Sequence, residues 1–278
     1  MSEHLQGKVV VITGAGSGFG RLVAERCVAR GAKVVGADVD ADRLAETFDA
    51  LEGDGHQVLA VPTDVTDLAQ VQALAAAAVE AFGAIDVMVN NAGVMPLAFY
   101  ADHEQAAAGW DRCIDVNLKG VLHGISAVYD QMVEQGRGHV VNVSSIYSNF
   151  PTAGAGVYAA TKASVNVLSE ALRVEAQGKI KVTVVRPTGV PKTGLGGSVV
   201  NGAAVVGIFG QNAPTAIDGL MAYLGGQMEP EQSDPDSPRL WSLEPEHIAD
   251  QIVYVMDQPW GVSISDITVR ATGEEYVL

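Results

Sequence analysis

A tyrosine and a lysine lie one helical turn apart near the middle of the chain, as Tyr158 and Lys162 in Tyr-Ala-Ala-Thr-Lys. A phenol has a pKa of roughly 10 and exchanges protons poorly near neutrality. A lysine at i+4 projects from the same helix face, and its charge favours the phenolate and lowers that pKa. Ser145, upstream in Val-Asn-Val-Ser-Ser, offers a hydroxyl to hold a substrate oxygen. The three residues predict a proton-transfer site, although a Tyr-Lys pair alone more often belongs to a solvated helix face.

A glycine-rich turn follows a short apolar run near the N-terminus. Residues 8–13 are β-branched and predict a buried parallel strand, and residues 21–30 have a helical pattern. Between a strand and a helix, glycines permit close backbone approach, and the helix N-terminus offers free N–H groups to a pyrophosphate. We interpret the turn as a dinucleotide site rather than an ordinary loop. Its predicted contact residues are Gly14, Ser17, Gly18, Phe19 and Gly20.

A second short strand is predicted over residues 33–37, and it ends at Asp38. A dinucleotide site places an acidic residue about 20 positions beyond the glycine turn. The carboxylate accepts hydrogen bonds from both adenosine ribose hydroxyls and repels a 2′-phosphate, since like charges in contact cost several kcal/mol. Neither Ser17 nor Val39 supplies the positive charge that a 2′-phosphate needs. The pattern predicts NAD rather than NADP, against the alternative of a solvated strand-end aspartate.

Further motifs follow in order along the chain. Asp64-Val65 comes after the third predicted strand, and Asn90-Asn91-Ala92-Gly93 comes after the fourth. Asn117 lies in Asp-Val-Asn-Leu-Lys-Gly, within a helical pattern. Together with the glycine turn and the serine, tyrosine and lysine above, these motifs resemble the short-chain dehydrogenase/reductase family, in its compact single-domain branch. The resemblance covers residues 7–272, nearly the whole chain.

The resemblance implies a Rossmann-like α/β fold, a doubly wound parallel sheet of about seven strands in the order 3-2-1-4-5-6-7 with helices on both faces. The alternation of strand and helix patterns independently favours a parallel sheet, and 278 residues suffice for one domain spanning 1–278. Strands are predicted near 8–13, 33–37, 57–61, 85–90, 138–143, 180–186 and 264–269. Helices are predicted near 18–30, 41–52, 67–82, 103–134, 157–177 and 244–257.

The family's functional positions can be assigned to this sequence one by one. Tyr158 is implied as the general acid/base, with Lys162 assisting it and Ser145 holding the substrate oxygen. Asn117 is implied to anchor a water that connects Lys162 to solvent, or else is a kink residue bonded to the backbone. Besides the glycine turn and Asp38, the implied dinucleotide contacts are Asp64, Val65, Asn91, Ala92, Gly93, Tyr158, Lys162, Pro187 and Val190.

The loop after the sixth predicted strand departs from the family pattern. The family's Pro-Gly is replaced here by Pro187-Thr188-Gly189-Val190. Thr193 also lies one position later than the family threonine that often meets the nicotinamide amide. The resemblance therefore defines the contacts of residues 188–193 less closely than the rest of the site.

A long segment without a strand pattern follows this loop, and such length inside a compact domain indicates a lid or a binding loop. The resemblance places the substrate lid here, at about 188–240. Pro214 is predicted in the first turn of a short helix that ends at Leu224. The first half of the segment is glycine-rich and apolar, residues 229–238 are acidic and proline-rich, and the only cations are Lys192 and Arg239. We therefore expect a neutral, fairly apolar small-molecule substrate.

The composition limits the classes of partner. A net charge of −16 and a pI near 4.6 argue against a nucleic-acid surface. No apolar run approaches the roughly 18 residues of a membrane helix, and residues 1–7 lack a signal pattern. The two cysteines share no C-x-x-C spacing and fit free thiols in a reducing compartment, which predicts a cytoplasmic protein. The six histidines show no metal-ligand spacing, which predicts that there is no metal site. The resemblance also implies a homotetramer or homodimer.

These observations predict an NAD-dependent oxidoreductase that interconverts a secondary alcohol and a ketone. A non-catalytic NAD-binding regulator or scaffold would share the fold. An NADP-using carbonyl reductase would share the site, and a lyase or epimerase would use the same cofactor chemistry transiently. The complete Asn-Ser-Tyr-Lys set favours an enzyme, because a binding module has no need of a tuned phenol.

Overall fold

A sheet of seven parallel strands forms the centre of the computed structural model, which describes residues 4–150 and 152–275. The strand order is β3-β2-β1-β4-β5-β6-β7. The fold class and this order confirm the predictions, and each strand begins and ends within two residues of its predicted bounds. The strands are β1 (Val9–Thr13), β2 (Lys33–Asp38), β3 (Val58–Pro62), β4 (Val87–Asn90), β5 (Gly138–Val143), β6 (Ile180–Pro187) and β7 (Asp266–Val269).

Helices cover both faces of the sheet. Val10 and Ile12 of β1 pack against one apolar cluster, with residues of α1, α2 and α10, whereas Val11 packs against the opposite cluster, with residues of α3, α5 and α6. Burial on both faces explains why β1 is continuously apolar rather than alternating. The helices of this core are α1 (Gly18–Val28), α2 (Ala41–Gly53), α3 (Leu68–Phe82), α4 (His103–Ile114), α5 (Gly120–Glu134), α6 (Gly156–Glu175) and α10 (Pro245–Met256).

The helix predicted over residues 103–134 is interrupted. A π-helical stretch, Asp115–Lys119, separates α4 from α5, so the prediction of one continuous α-helix is corrected. The stretch carries Asn117, which is fully buried and hydrogen-bonds through its side-chain amide to the backbone of Val94. Single π turns inside α-helices often occur at functional sites. These side-chain bonds stabilise an irregular turn that helical periodicity does not reveal.

Residues 188–240, here called the lid segment, contain no strand among the elements that the structure describes. Its helices are α7 (Ala203–Gly207), α8 (Ala213–Leu224) and α9 (Pro230–Ser233). The predicted short helix is confirmed, with Pro214 in its first turn and Leu224 at its end. Within the described residues, we find no helix that combines the length and the apolarity needed to cross a bilayer.

A buried histidine in β5 makes the stability of the fold sensitive to acid. His139 is 1% exposed and bonds through Nε2 to Thr183 Oγ1 at 2.8 Å. Burial, helped by the charge of Lys181, lowers the pKa of His139 from 6.5 to about 3. Between these values the unfolded chain binds a proton that the folded chain does not, so folding stability decreases as the pH falls.

We predict that stability falls more steeply with acid in the wild type than in a His139→Gln variant. The extra slope below pH 6.5 should approach about 1.4 kcal/mol per pH unit, since that is the free energy of one unit of pKa difference. Urea unfolding of both proteins at several pH values measures it. Parallel pH profiles would contradict the assignment of this acid sensitivity to His139.

Candidate active site

The carboxyl ends of β1 and β4 are tied together where the strand order reverses. Thr13 Oγ1 accepts hydrogen bonds from the backbone N–H groups of Asn91 (3.0 Å) and Ala92 (3.1 Å). The Asn91 side-chain amide donates to the carbonyl oxygens of Thr13 (2.9 Å) and Gly14 (3.2 Å). Open α/β sheets bind ligands in the crevice at this switch point. These bonds therefore fix both walls of the crevice.

The turn after β1 requires glycine at several positions. Gly14 and Gly18 have φ values of 68° and 51°, in the region that favours glycine. A Cβ atom on Gly20 would lie 2.0 Å from the Gly14 carbonyl oxygen, and one on Gly14 would lie 2.9 Å from the Asn91 amide nitrogen. Because α1 begins at Gly18, the turn brings a helix N-terminus to the crevice. Its backbone N–H groups and dipole suit a phosphate group.

Asp38 ends β2 directly beside the glycine turn. Its Oδ2 accepts a hydrogen bond from the Gly16 N–H (2.9 Å), and its Oδ1 accepts one from the Asp40 N–H (3.0 Å). An ionised carboxylate has about four acceptor positions, so each oxygen retains capacity for a ribose hydroxyl. The carboxylate is thus held in place with free acceptor positions at the crevice.

Arg43 lines the same cavity and is absent from the sequence-based predictions. It lies in the first turn of α2, and its Nε is 3.3 Å from Asp40 Oδ2. Its side chain is 64% exposed and therefore has room to move. The signal in the sequence is a basic residue in the first turn of the helix after β2. A positive charge therefore lies in the same cavity as Asp38, although neither Ser17 nor Val39 supplies one.

Asp64 and Val65 line the cavity beyond the end of β3. The Asp64 carboxylate accepts hydrogen bonds from the backbone N–H (2.9 Å) and hydroxyl (2.8 Å) of Thr66. Val65 packs on Gly120, where a Cβ atom would lie 2.8 Å from Val65 Cγ2. Its carbonyl also bonds to His123 Nδ1 at 2.8 Å. These contacts fix an apolar side chain at the place predicted to flank the adenine.

Ser145, Tyr158 and Lys162 come together at the carboxyl end of β5. Tyr158 and Lys162 lie one turn apart on α6 and are 5% and 4% exposed. The Tyr158 phenol interacts with the Ser145 side chain, and Lys162 Nζ is 5.9 Å from the centroid of the Tyr158 ring. All three line the cavity that also contains the glycine turn. The arrangement places a phenol, a hydroxyl and an ammonium group around one point.

Burial dominates the proton affinities of this group. Desolvation raises the pKa of Tyr158 to about 12, and the interaction with the Ser145 side chain opposes the rise. Desolvation also lowers the pKa of Lys162 to about 8. Lys162 Nζ donates to the Val143 carbonyl oxygen at 2.8 Å. The largest influence on the pKa of Tyr158 is burial rather than the charge of Lys162. The prediction of a net lowering of the Tyr158 pKa is therefore wrong for this structure, because loss of solvent outweighs the opposing interaction with Ser145.

Asn117 acts on the site through the backbone of Val94. Its Oδ1 accepts from the Val94 N–H and its Nδ2 donates to the Val94 carbonyl oxygen, both at 2.9 Å. Its Nδ2 is also 3.3 Å from Thr161 Oγ1 on α6. The side chain therefore has the backbone-bonding role that the sequence leaves as an alternative. Anchoring of a water beside Lys162 stays a prediction.

The loop after β6 reaches the cavity although its sequence departs from the family pattern. Pro187, Thr188, Val190 and Thr193 all line the cavity. The Thr193 hydroxyl donates back to the Val190 carbonyl oxygen at 3.2 Å. The Thr188 hydroxyl bonds instead to Glu274, near the C-terminus, at 2.5 Å. Both threonine hydroxyls thus have partners within the protein.

Nearly all predicted site residues share one cavity. Gly20 and Asn117 are not among its lining residues. Gly20 allows the close packing of the turn, and Asn117 holds the backbone of Val94. The predicted residues that line it are Gly14, Ser17, Gly18, Phe19, Asp38, Asp64, Val65, Asn91, Ala92, Gly93, Ser145, Tyr158, Lys162, Pro187 and Val190.

The end of the cavity beside Tyr158 has an apolar wall, much of it from the lid segment. Sequence patterns do not identify these residues individually, because their meeting depends on how the lid segment folds. Lys192 and Arg239 pair with glutamates and do not line the cavity. The apolar lining residues are Met95, Leu97, Val199, Val205, Ile208, Phe209 and Leu220.

Comparison with known proteins assigns the family. The model of the short chain dehydrogenases matches residues 8–203. An uncharacterized oxidoreductase of Staphylococcus haemolyticus is 33% identical over 267 residues, covering 96% of this chain and 98% of that protein. A short chain dehydrogenase/reductase of Burkholderia phymatum, solved in complex with NAD, is 33% identical with a TM-score of 0.75, over 95% of this chain and 89% of that one.

A serine dehydrogenase, solved in its closed form with NADP+, is also similar. It is 28% identical with a TM-score of 0.78, over 96% of each chain. The chain belongs to the short-chain dehydrogenase/reductase family. It is an oxidoreductase of that family, and its relatives include proteins solved with NAD and with NADP+.

We predict that Gly20→Ala weakens NADH binding at least about tenfold, because the added methyl group displaces the Gly14 carbonyl and disturbs backbone hydrogen bonds to the phosphates. Titration of NADH fluorescence measures the dissociation constant. Gly53→Ala is the matched control, since a Cβ atom there meets nothing within 4 Å. Wild-type affinity in Gly20→Ala would contradict the assignment of the turn to the dinucleotide.

Proposed function

We propose that the protein interconverts a secondary alcohol and a ketone with NAD as the hydride carrier. The observation that carries this proposal is the buried Tyr158, which interacts with the Ser145 side chain and lies next to Lys162, in the same cavity as the glycine turn and Asp38. A proton-transfer group and a dinucleotide cradle in one cavity are the two parts that alcohol oxidation needs.

The residues present fit a dinucleotide. The turn leaves open space at Gly18, where a Cβ atom would meet nothing within 4 Å, and the Asp38 oxygens keep acceptor positions for ribose hydroxyls. Asn91, Ala92 and Gly93 line the cavity between the turn and Lys162. When bound, NAD supplies the acceptor for a hydride from the substrate carbon. The protein supplies position, proton transfer and exclusion of water.

Tyr158 is the proposed acid/base. In the oxidative direction its phenolate accepts the proton of the alcohol hydroxyl as the carbon is oxidised, and in the reductive direction its hydroxyl returns the proton. Ser145 donates a hydrogen bond to the same oxygen and stabilises its changing charge. Lys162, held by the Val143 carbonyl, places a positive charge near the phenol. Its lowered pKa, about 8, lets this ammonium exchange a proton near neutral pH.

We propose NAD as the preferred dinucleotide because of Asp38, whose carboxylate lies next to Gly16 in the turn. The relative solved with NAD supports this choice. Arg43 favours the alternative of an NADP-using reductase, since its guanidinium lines the same cavity and could pair with a 2′-phosphate. Asp40 competes for that guanidinium, which favours NAD.

We propose a neutral and largely apolar substrate. The cavity wall beside Tyr158 is aliphatic and aromatic, and the ring of Tyr147 lies 6.4 Å from that of Tyr158. The cations that line the cavity within the described residues are Arg43, Arg112 and Lys162, and none of them belongs to the lid segment. A panel of cyclic, aromatic and aliphatic secondary alcohols, followed by the absorbance of NADH, tests the class. A clear preference for phosphorylated or acidic substrates would contradict it.

Replacement of Tyr158 by phenylalanine should lower turnover at least about a thousandfold, as expected for loss of a general acid/base. NADH binding should change little. Wild-type alcohol oxidation should accelerate as the pH rises, because burial raises the pKa of Tyr158 to about 12 and the phenolate is the reactive form. Tyr129→Phe, at a half-buried tyrosine of α5 that packs against the core, is the control. Turnover by Tyr158→Phe at the rate of this control would exclude Tyr158 as the acid/base.

Asp38→Asn should reduce the preference for NAD over NADP by roughly tenfold or more, because it removes the repulsion of a 2′-phosphate. The asparagine oxygen still accepts the Gly16 N–H, so the turn is preserved. The ratio of kcat/KM for the two dinucleotides measures the effect, and the exposed Asp42→Asn in the same region is the control. If the ratio is equal in Asp38→Asn and the control, Asp38 does not select the dinucleotide.

A further inference from the structure

The last described residues, 273–275, bond to three separate parts of the protein. The Gly273 N–H donates to the Leu240 carbonyl oxygen at 2.8 Å. The Glu274 carboxylate accepts from Thr188 Oγ1 and contacts Arg270 Nε at 2.7 Å. A Cβ atom on Gly273 would lie 2.8 Å from the Arg239 carbonyl oxygen, so the Gly273 backbone packs directly against the backbone of Arg239. Residues 273–275, here called the C-terminal latch, are therefore fixed at their start.

Glu275 connects the latch to the N-terminal end of α8. Its carboxylate accepts a hydrogen bond from Thr215 Oγ1 and, at 3.1 Å, one from Trp241 Nε1. Its backbone carbonyl accepts a third, from Asn212 Nδ2 at 3.0 Å. Asn212 and Thr215 are the N-cap and a first-turn residue of α8. One residue of the latch thus holds the beginning of this helix and an indole beneath it.

The face of α8 that meets the latch is distinct from the face that meets the cavity. Thr215, Gly219 and Tyr223 follow at intervals of four and contact Glu275, Trp241 and Glu244 respectively. A Cβ atom on Gly219 would lie 2.7 Å from the Trp241 ring, so the helix rests directly on the indole. The neighbouring stripe, also spaced by four, contains Leu220 and Leu224, which line the cavity.

The C-terminal end of α8 is held by a second carboxylate. Tyr223 Oη donates to Glu244 Oε1 at 2.8 Å, and Lys192 Nζ lies 2.9 Å from the same oxygen. Lys192 Nζ also lies 4.7 Å from the centroid of the Tyr223 ring. Because Lys192 belongs to the loop after β6, which lines the cavity, its contacts join this end of α8 to that loop.

We propose that the C-terminal latch positions α8, and with it the substrate-facing wall, through the carboxylate of Glu275. The inference rests on the proposed function, since it assigns to α8 the role of a wall for the alcohol. Glu275 does not line the cavity, so it is a positioning residue. Glu274 extends the same connection to Thr188, which does line the cavity. A single short segment therefore couples α8 to Thr188, at the beginning of the lid segment.

The test replaces Glu275 by alanine and compares it with Glu231→Ala. Glu231 is a carboxylate of the lid segment that pairs with the exposed Arg239, so its loss changes the net charge equally without touching α8. Hydrogen exchange of residues 213–224 in the protein without substrate should be about tenfold faster in Glu275→Ala, because two side-chain hydrogen bonds to a carboxylate are lost. Exchange in Glu231→Ala should match the wild type.

Two further variants separate the bonds from general damage. Thr215→Val keeps the shape of the side chain and removes one donor, so its exchange should lie between the wild type and Glu275→Ala. Glu275→Gln keeps an acceptor for Trp241 Nε1 and should restore most of the protection. In activity assays, KM for the alcohol should rise several-fold in Glu275→Ala, with kcat and NADH affinity nearly unchanged.

If hydrogen exchange in α8 is unchanged in both Glu275→Ala and Thr215→Val, the proposal that Glu275 positions α8 is wrong, and this result does not depend on the substrate. Faster exchange together with an unchanged KM for the alcohol would overturn the assignment of α8 as a substrate wall. Failure of the proposed function has a different signature, namely unimpaired turnover in Tyr158→Phe. It would leave the exchange result in α8 intact.

Discussion

The hydrogen bonds between Thr13 and Asn91 are the interaction on which the site most depends. They join β1 to the segment after β4 at the point where the sheet reverses its strand order. The glycine turn packs directly on the same asparagine, so the position of α1 follows from this junction. Asn117, through Val94, extends the junction toward α6. The proposed dinucleotide cradle and the proposed proton-transfer group are therefore parts of one hydrogen-bonded framework.

The sheet could be predicted closely because its signals are local. A parallel strand buried on both faces must be continuously apolar, as β1 is, and each is followed by a helix with its own period. The π-helical stretch at Asp115–Lys119 could not be predicted in this way. It depends on bonds from Asn117 to Val94, which are remote in sequence. Periodicity reports which face of a helix is buried, but not an additional residue in one turn.

In the candidate site too, residues with local sequence signals could be predicted, and residues whose place depends on distant contacts could not. Glycines with backbone constraints and an acid at a strand end could be identified from the sequence because each has a fixed place relative to a strand. Arg43 and the apolar wall from the lid segment depend on how distant segments pack, and they appear only in the structure. The raised pKa of Tyr158 is a further case, because it reflects burial by surrounding elements rather than the i+4 lysine.

The central claim is that a substrate carbon gives its hydride to NAD while Tyr158 takes the hydroxyl proton. Its most direct test is to incubate the protein with NAD and a secondary alcohol that carries deuterium on the carbinol carbon, and to analyse the NADH by NMR. The account predicts deuterium at one face of the nicotinamide ring, and none when the label is on the hydroxyl. NADH without deuterium, or ketone formed without NADH, would contradict it.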